Sequence, residues 1–268
     1  MTEDYRDINR KFWDEVTAHH ISSEFYATAE FRRGANVLDP IVRDGIGEIA
    51  GKRLLYLQCH FGLDTLSLAR MGADVTGLDF SGKAIAEARK LAEETGIEAT
   101  FIESDVLSMP DDLGEFDVVF ASWGVISWIQ DISAWFRAAA QRLGHGGRLH
   151  LVDFHPVAAI MDDTVGPDSA FFVRYPYESD KPLIQDEASD YATPARLHAN
   201  RTVEWQHGVG SLLNGVIQAG LTIERFRELD RIPWRGLPQL LEAGDGYWRL
   251  PPDAPAFPLA FELSAKRE

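Results

Sequence analysis

Arg53-Leu54-Leu55-Tyr56-Leu57-Gln58-Cys59-His60-Phe61-Gly62-Leu63-Asp64-Thr65, followed one β-α unit later by Val75-Thr76-Gly77-Leu78-Asp79-Phe80-Ser81, is the stretch on which the reading of this chain turns. The first run is apolar, stops at a turn and restarts as a helix; the second is apolar and ends in a carboxylate. Together they spell strand, ligand loop, helix, strand, acid. In a parallel α/β sheet a ligand lies beyond the carboxyl ends of the strands. There a helix N-terminus offers free N–H groups, and the acid closing the next strand accepts from ribose hydroxyls. Asp79 is placed for that task.

Downstream, Ser81 is suited to cap a helix with Ala84, Ile85, Ala88, Leu91 and Ala92 on its buried face and Gly96 as its stop. Residues 99–106 read as a third strand running into Asp105, whose plain alternative role is a turn or helix cap. Residues 116–124 form a fourth strand, apolar enough for burial on both faces. Ile132, Trp135, Phe136, Ala139 and Leu143 make a helical stripe stopped by Gly144 and the Gly146-Gly147 pair. Residues 148–153 are a fifth strand that delivers Phe154-His155-Pro156 at its carboxyl end, the catalytic edge of such a sheet. His155 is therefore the first candidate general base, since an imidazole titrates near neutral pH. A histidine that shapes the loop before a proline is the alternative.

Upstream, Ile8, Phe12 and Val16 recur at four-residue intervals and predict a helix over 6–18; residues 37–50 return to a helical pattern. Periodicity is lost over 157–202, where Phe171 to Tyr177 reads as an extra strand within an insertion that covers the substrate. Glu204 and His207 come near the pocket if that insertion folds back. Residues 221–226 and 259–265 are sixth and seventh strands, separated by a Pro-, Gly- and Trp-bearing excursion.

The run Leu54 to Gly62 resembles the first motif of class I S-adenosylmethionine (SAM) dependent methyltransferases, and Val75 to Asp79 resembles their second. Gln58 and His60 stand at the first two glycine positions of that motif, Gly62 at the third, and Tyr56 takes the usual acid's place. The wording from Leu57 to Ala69 is similar to a large bacterial branch of the superfamily. The resemblance implies an α/β fold with a doubly wound, seven-stranded, mostly parallel sheet and an antiparallel seventh strand. It divides the chain into an N-terminal helical cap over 1–50 and a SAM-binding domain over 51–268, with the insertion at 157–202 after strand five.

It further implies that SAM is held by Gln58, Cys59, His60 and Gly62 of the loop and by Asp79, Phe80 and Ser81. Asp105 would accept from the adenine amine, the Val106 N–H would meet a ring nitrogen, and Ser122 and Trp123 would lie against the methionine end. Trp13, His19, His20 and Tyr26 become pocket candidates. The reaction implied is an in-line methyl transfer to an oxygen, nitrogen or carbon of a small molecule, aromatic or hydrophobic in character. A base is needed where the acceptor arrives protonated, the candidates being His155, His207 and Tyr26. No metal is implied, and a homodimer is left open.

Composition bounds these readings. Lys plus Arg number 26 against 42 Asp plus Glu, a net charge of −16 in 268 residues, which repels a nucleic-acid backbone or an anionic membrane surface. The one cysteine, Cys59, makes no internal disulfide, and the expectation is a cytoplasmic protein. No apolar run approaches the roughly 20 residues that span a bilayer. Two other functions fit the pattern less well. A nicotinamide-dinucleotide oxidoreductase shares the strand-loop-acid plan, but Gln58 and His60 would obstruct the pyrophosphate. A protein that binds SAM without transferring its methyl keeps the same loop.

Overall fold

In the computed structural model, which describes residues 4–186, 190–192 and 196–268, three helices precede the first strand. Asp4 caps α1 (Tyr5–Ser22) by accepting from Arg6 N, and Phe12, Val16 and His20 are buried along it. A 3₁₀ turn (Glu24–Tyr26) and α2 (Thr28–Arg32) follow. The helix predicted over 37–50 is shorter, α3 (Pro40–Ile46). Asp39 caps it with Pro40 in the first turn, and Gly47 at φ 74° ends it, the start and stop that these residue types favour.

The core alternates β1 (Arg53–Leu57), α4 (Leu63–Arg70), β2 (Asp74–Asp79), α5 (Gly82–Thr95), β3 (Thr100–Glu103), β4 (Phe116–Ser122), α6 (Ile132–Gln141) and β5 (Leu143–Phe154). The cap on α5 is as predicted, Ser81 accepting from Ala84 N and Gly96 closing the helix in a left-handed conformation. After β5 come α7 (Pro156–Ala159), β6 (Leu183–Gln185), β7 (Thr202–Glu204), α8 (Val209–Gln218) and β8 (Leu221–Leu229). The chain finishes with β9 (Arg231–Ile232), β10 (Leu241–Glu242), β11 (Trp248–Arg249) and β12 (Ala260–Arg267).

The main sheet has seven strands in the order β3-β2-β1-β4-β5-β12-β8. β12 is antiparallel to both its neighbours, and the pairs from β3 to β5 are parallel. The continuous apolar run of β1 follows from burial on both sides: Leu54 and Tyr56 belong to the core beneath α4 and α5, Leu55 and Leu57 to that beneath α6 and α8. The strand order reverses between β1 and β4, which opens a crevice at their carboxyl ends.

Two elements cover that crevice. β6 and β7 form a small antiparallel ribbon, Ile184 opposite Val203. Asn9 of α1 lies along β7, its Nδ2 donating to Val203 O at 2.8 Å and its Oδ1 accepting from Val203 N at 2.9 Å. The strand expected at 171–177 is absent: a single bridge joins Met161 to Val173. Phe172 and Val173 are exposed, so their apolar pattern does not report a buried face. Of the insertion, residues 187–189 and 193–195 lie outside the described residues.

Candidate functional site

The loop after β1 keeps glycine-like backbone angles at positions that hold side chains. Gln58, His60 and Gly62 have φ of 58°, 52° and 77°. For a residue with a Cβ this region costs about 1–2 kcal/mol, and here each such residue is anchored. Gln58 Nε2 donates to Val125 O at 3.2 Å, and its Oε1 accepts from Trp135 Nε1 at 2.9 Å. His60 N donates to Asp79 Oδ2 at 2.8 Å, and its ring meets Trp13 edge-on with centroids 5.3 Å apart. At Gly62 no side chain fits, because a Cβ would stand 2.7 Å from Phe101 Cε1 and 2.8 Å from Ala88 Cβ.

Asp79, at the end of β2, is 6 % exposed and accepts from Ser81 N at 2.9 Å as well as from His60 N. Burial pushes its pKa up to about 6, opposed by the N–H groups of Ser81, His60 and Phe80. Gln58, Cys59, His60, Gly62, Asp79, Phe80, Asp105, Val106, Ser122 and Trp123 all line one cavity of about 670 Å³. Ser81 does not. It is buried, donates Oγ–H to Asp14 Oδ1 at 2.6 Å and caps α5. Asp105 accepts from Leu107 N at 2.7 Å as a cap, and it lines the cavity, paired with Arg6 Nε at 3.0 Å.

A family model described as a methyltransferase domain matches residues 55–147. The chain is 28% identical to a ubiquinone biosynthesis O-methyltransferase of Xylella fastidiosa, over 87% of this chain and 92% of that protein. It is 36% identical to a demethylmenaquinone methyltransferase of Thermus thermophilus over 41% of this chain, a match that spans half of that protein. The crystal structure of an S-adenosylmethionine dependent methyltransferase from Mesorhizobium loti superimposes with a TM-score of 0.61 at 25% identity, covering 88% of this chain and all of the other. These matches support the class I SAM-dependent methyltransferase superfamily for this chain.

SAM is the cofactor, and the loop of this methyltransferase fits it. Side chains at 58 and 60 would crowd a diphosphate against the backbone, but SAM carries none. Cys59 is buried, and burial raises its thiol well above the usual range, so it packs as a small apolar residue and does not ionise.

Asp153, closing β5, was not singled out from sequence. It accepts from Gly124 N at 2.7 Å, Val125 N at 2.9 Å, Ile126 N at 3.0 Å and Phe154 N at 2.7 Å. Its carboxylate thereby shapes the turn after β4 in which Trp123 takes φ 54°. The available signal was an acid ending a parallel strand beside a glycine turn. Asp64, also missed, lines the cavity from the first turn of α4. Burial and the nearby Asp39 push it up to about 7.

The structure separates the three candidate bases. His155 caps α7, accepting from Val157 N at Nδ1, 3.1 Å away. Its Nε2 stands 3.1 Å from Glu228 Oε1, it is 1 % exposed, and it is not among the cavity-lining residues. His155 thus caps the helix that Pro156 opens and stands outside the cavity lining. Tyr26 lines the cavity, its hydroxyl against that of Tyr191. Burial holds its pKa well above the usual value, so it is a hydrogen-bond donor at neutral pH and not a base. His207 lines the cavity too, donating Nε2–H to Ile129 O at 2.6 Å. That contact fixes the tautomer and leaves Nδ1 as the accepting nitrogen, while burial lowers the pKa and keeps the ring neutral. Of the other pocket candidates, Trp13 lines the cavity; His19 and His20 do not. His20 instead pairs with Asp190 at 2.7 Å.

Proposed function

We propose that this methyltransferase methylates an apolar or aromatic small molecule at oxygen, nitrogen or carbon, by in-line displacement in a chamber closed by the helices before β1 and by the β6–β7 ribbon. The observation that carries the reading is the aromatic lining of the cavity, where Trp13, Trp128, Tyr191, Trp205 and Trp234 join Trp123. Aromatic faces bind planar or apolar groups and attract cationic ones through their quadrupole. One relative is named a ubiquinone biosynthesis O-methyltransferase and another a demethylmenaquinone methyltransferase, which supports an acceptor of that apolar type.

When bound, SAM supplies an electrophilic methyl on a sulfonium. The chain has then to align the acceptor with it and exclude water. Asp79 offers the ribose its free lone pairs, and Asp105 and Val106, on the same lining, take the adenine. In this reading His207 takes a proton from an acceptor hydroxyl, and Tyr26 donates to an acceptor oxygen. The described lining carries Asp39, Asp64, Asp79, Asp105, Asp153, Asp163 and Glu204, against Arg6 as its cationic partner. Such a wall disfavours a carboxylate or phosphate on the acceptor.

No described helix is long and apolar enough to cross a membrane; the free, buried Cys59 suits a reducing, cytoplasmic setting. The test is methyl transfer from SAM to a panel of phenols, quinols, amines and carboxylates, read as release of the demethylated product S-adenosylhomocysteine (SAH). Turnover with neutral aromatic acceptors and none with carboxylates is expected. Tight SAH binding without transfer to any member would leave a binding protein in its place.

A further inference from the structure

The carboxylates of the cavity can be accounted for one at a time, and one is left without a task. Asp79 holds two backbone N–H groups at the strand end, and Asp105 sits with Arg6. Asp153 is saturated by four N–H donors. Asp163 accepts from Tyr175 Oη at 2.7 Å, and Glu204 from Thr202 Oγ1 at 2.9 Å on the covering ribbon. Asp39 caps α3 and accepts from Tyr247 Oη at 3.2 Å. Asp64 has a weaker tie, Tyr56 Oη at 3.5 Å, the outer limit of a hydrogen bond.

Tyr56 explains why Asp64 matters. It occupies the place near the end of β1 where related enzymes carry an acid, yet its hydroxyl is engaged with Ser122 Oγ at 2.7 Å and stays neutral, burial raising its pKa well above the usual value. The strand end therefore offers no charge to a cationic ligand group. The methionine tail of SAM carries an α-ammonium, and an ammonium taken out of water needs a counter-charge. Arg6, the cation among the described lining residues, is paired with Asp105. Asp64 follows the last left-handed residue of the loop by two positions, in the first turn of α4, where the helix dipole favours an anion.

We propose that Asp64 binds the α-ammonium of the SAM methionine tail, a charge moved from the strand end to the helix, with the Tyr56 hydroxyl steering the carboxylate. The proposal rests on SAM being the ligand of this cavity. It also accounts for a half-buried carboxyl that desolvation and Asp39 leave near pH 7 without ligand: a cation beside it draws the proton off.

The experiment is calorimetry with SAH and with its deaminated analogue, in which a hydrogen replaces the amino group, against the unaltered enzyme, Asp64→Asn and Asp64→Ala. Asp64→Asn is expected to weaken SAH by at least about tenfold while changing the analogue by no more than about twofold. Equal losses for both ligands, or no loss for SAH, would overturn the proposal. A measurement on the unaltered enzyme needs no variant: at pH 6, in buffers of different ionisation enthalpy, SAH is expected to release more protons than the analogue, which shares its ribose contact with Asp79. Equal release would overturn the proposal as well. An unaltered enzyme that binds neither nucleoside would overturn the cofactor assignment itself and Asp64's role with it.

Discussion

The backbone N–H of His60 lies 2.8 Å from Asp79 Oδ2, so the carboxylate offered to the sugar also ties the first loop to the second strand. Asp79→Ala is therefore expected to act twice. SAH affinity should fall more than about tenfold, or about 1.4 kcal/mol. Stability should fall by about 1–3 kcal/mol, because the N–H groups of His60 and Ser81 lose their acceptor. Calorimetry and denaturant melts separate the two effects. Unchanged affinity in a folded variant would mean that the ribose lies elsewhere.

Asp64 and Asp79 hold their protons to about pH 7 and about pH 6, chiefly because burial disfavours the charged form. In the unfolded chain both ionise near pH 4. Between about pH 4 and 7 the folded enzyme thus binds more protons than the unfolded chain, and stability without ligand declines as pH rises through that window. Asp64→Asn removes one share of the decline. The variant should melt about 2–4 °C above the unaltered enzyme at pH 8, and the two should coincide near pH 4. Coincidence at both values would show that ionising Asp64 costs the fold nothing.

His207 and His155 give opposite predictions from one substitution. His207→Gln should lower kcat by about 100-fold or more with a phenolic acceptor, leave SAH affinity intact and abolish an acid limb lying below the ordinary histidine range. His155→Gln should leave turnover within about threefold, because the ring faces Glu228 and the α7 N-terminus, away from the cavity. Steady-state kinetics across pH decide the matter. A larger loss at His155 than at His207 would reverse the assignment.

Gly62→Ala tests the packing of the loop. Its added Cβ would meet the Phe101 ring and Ala88 at contact distances no Cβ tolerates, at a positive φ that disfavours it besides. A loss of at least about 2 kcal/mol is expected, together with lower SAH affinity. A variant that melts and binds like the parent would mean that α5 and β3 sit further from the loop.

The legible parts of the fold were those in which local pattern and burial agree. The run Leu54–Leu57, the acid at Asp79 and the Ser81–Gly96 helix each state their own boundaries, and they place the crevice. Legibility failed where side chains act at long range. Asp153 reads as one more strand-ending acid until its four N–H donors, three of them from the turn after β4, are seen around it. His155 sits at the right end of the right strand but points to the wrong face, and a position along a strand does not tell the direction of the residue just past its end. Phe171 to Tyr177 misled because aromatic content imitates a strand even where Phe172 and Val173 face outward.

The loop that related enzymes leave as bare backbone here bears a carboxamide and an imidazole, and His60 reaches the cavity wall. A small molecule designed to stack on or bond to that imidazole would find no counterpart in an enzyme with glycine at the same place. Discrimination between this protein and its many cousins can thus be sought on the nucleoside half of the chamber, usually the half they hold in common.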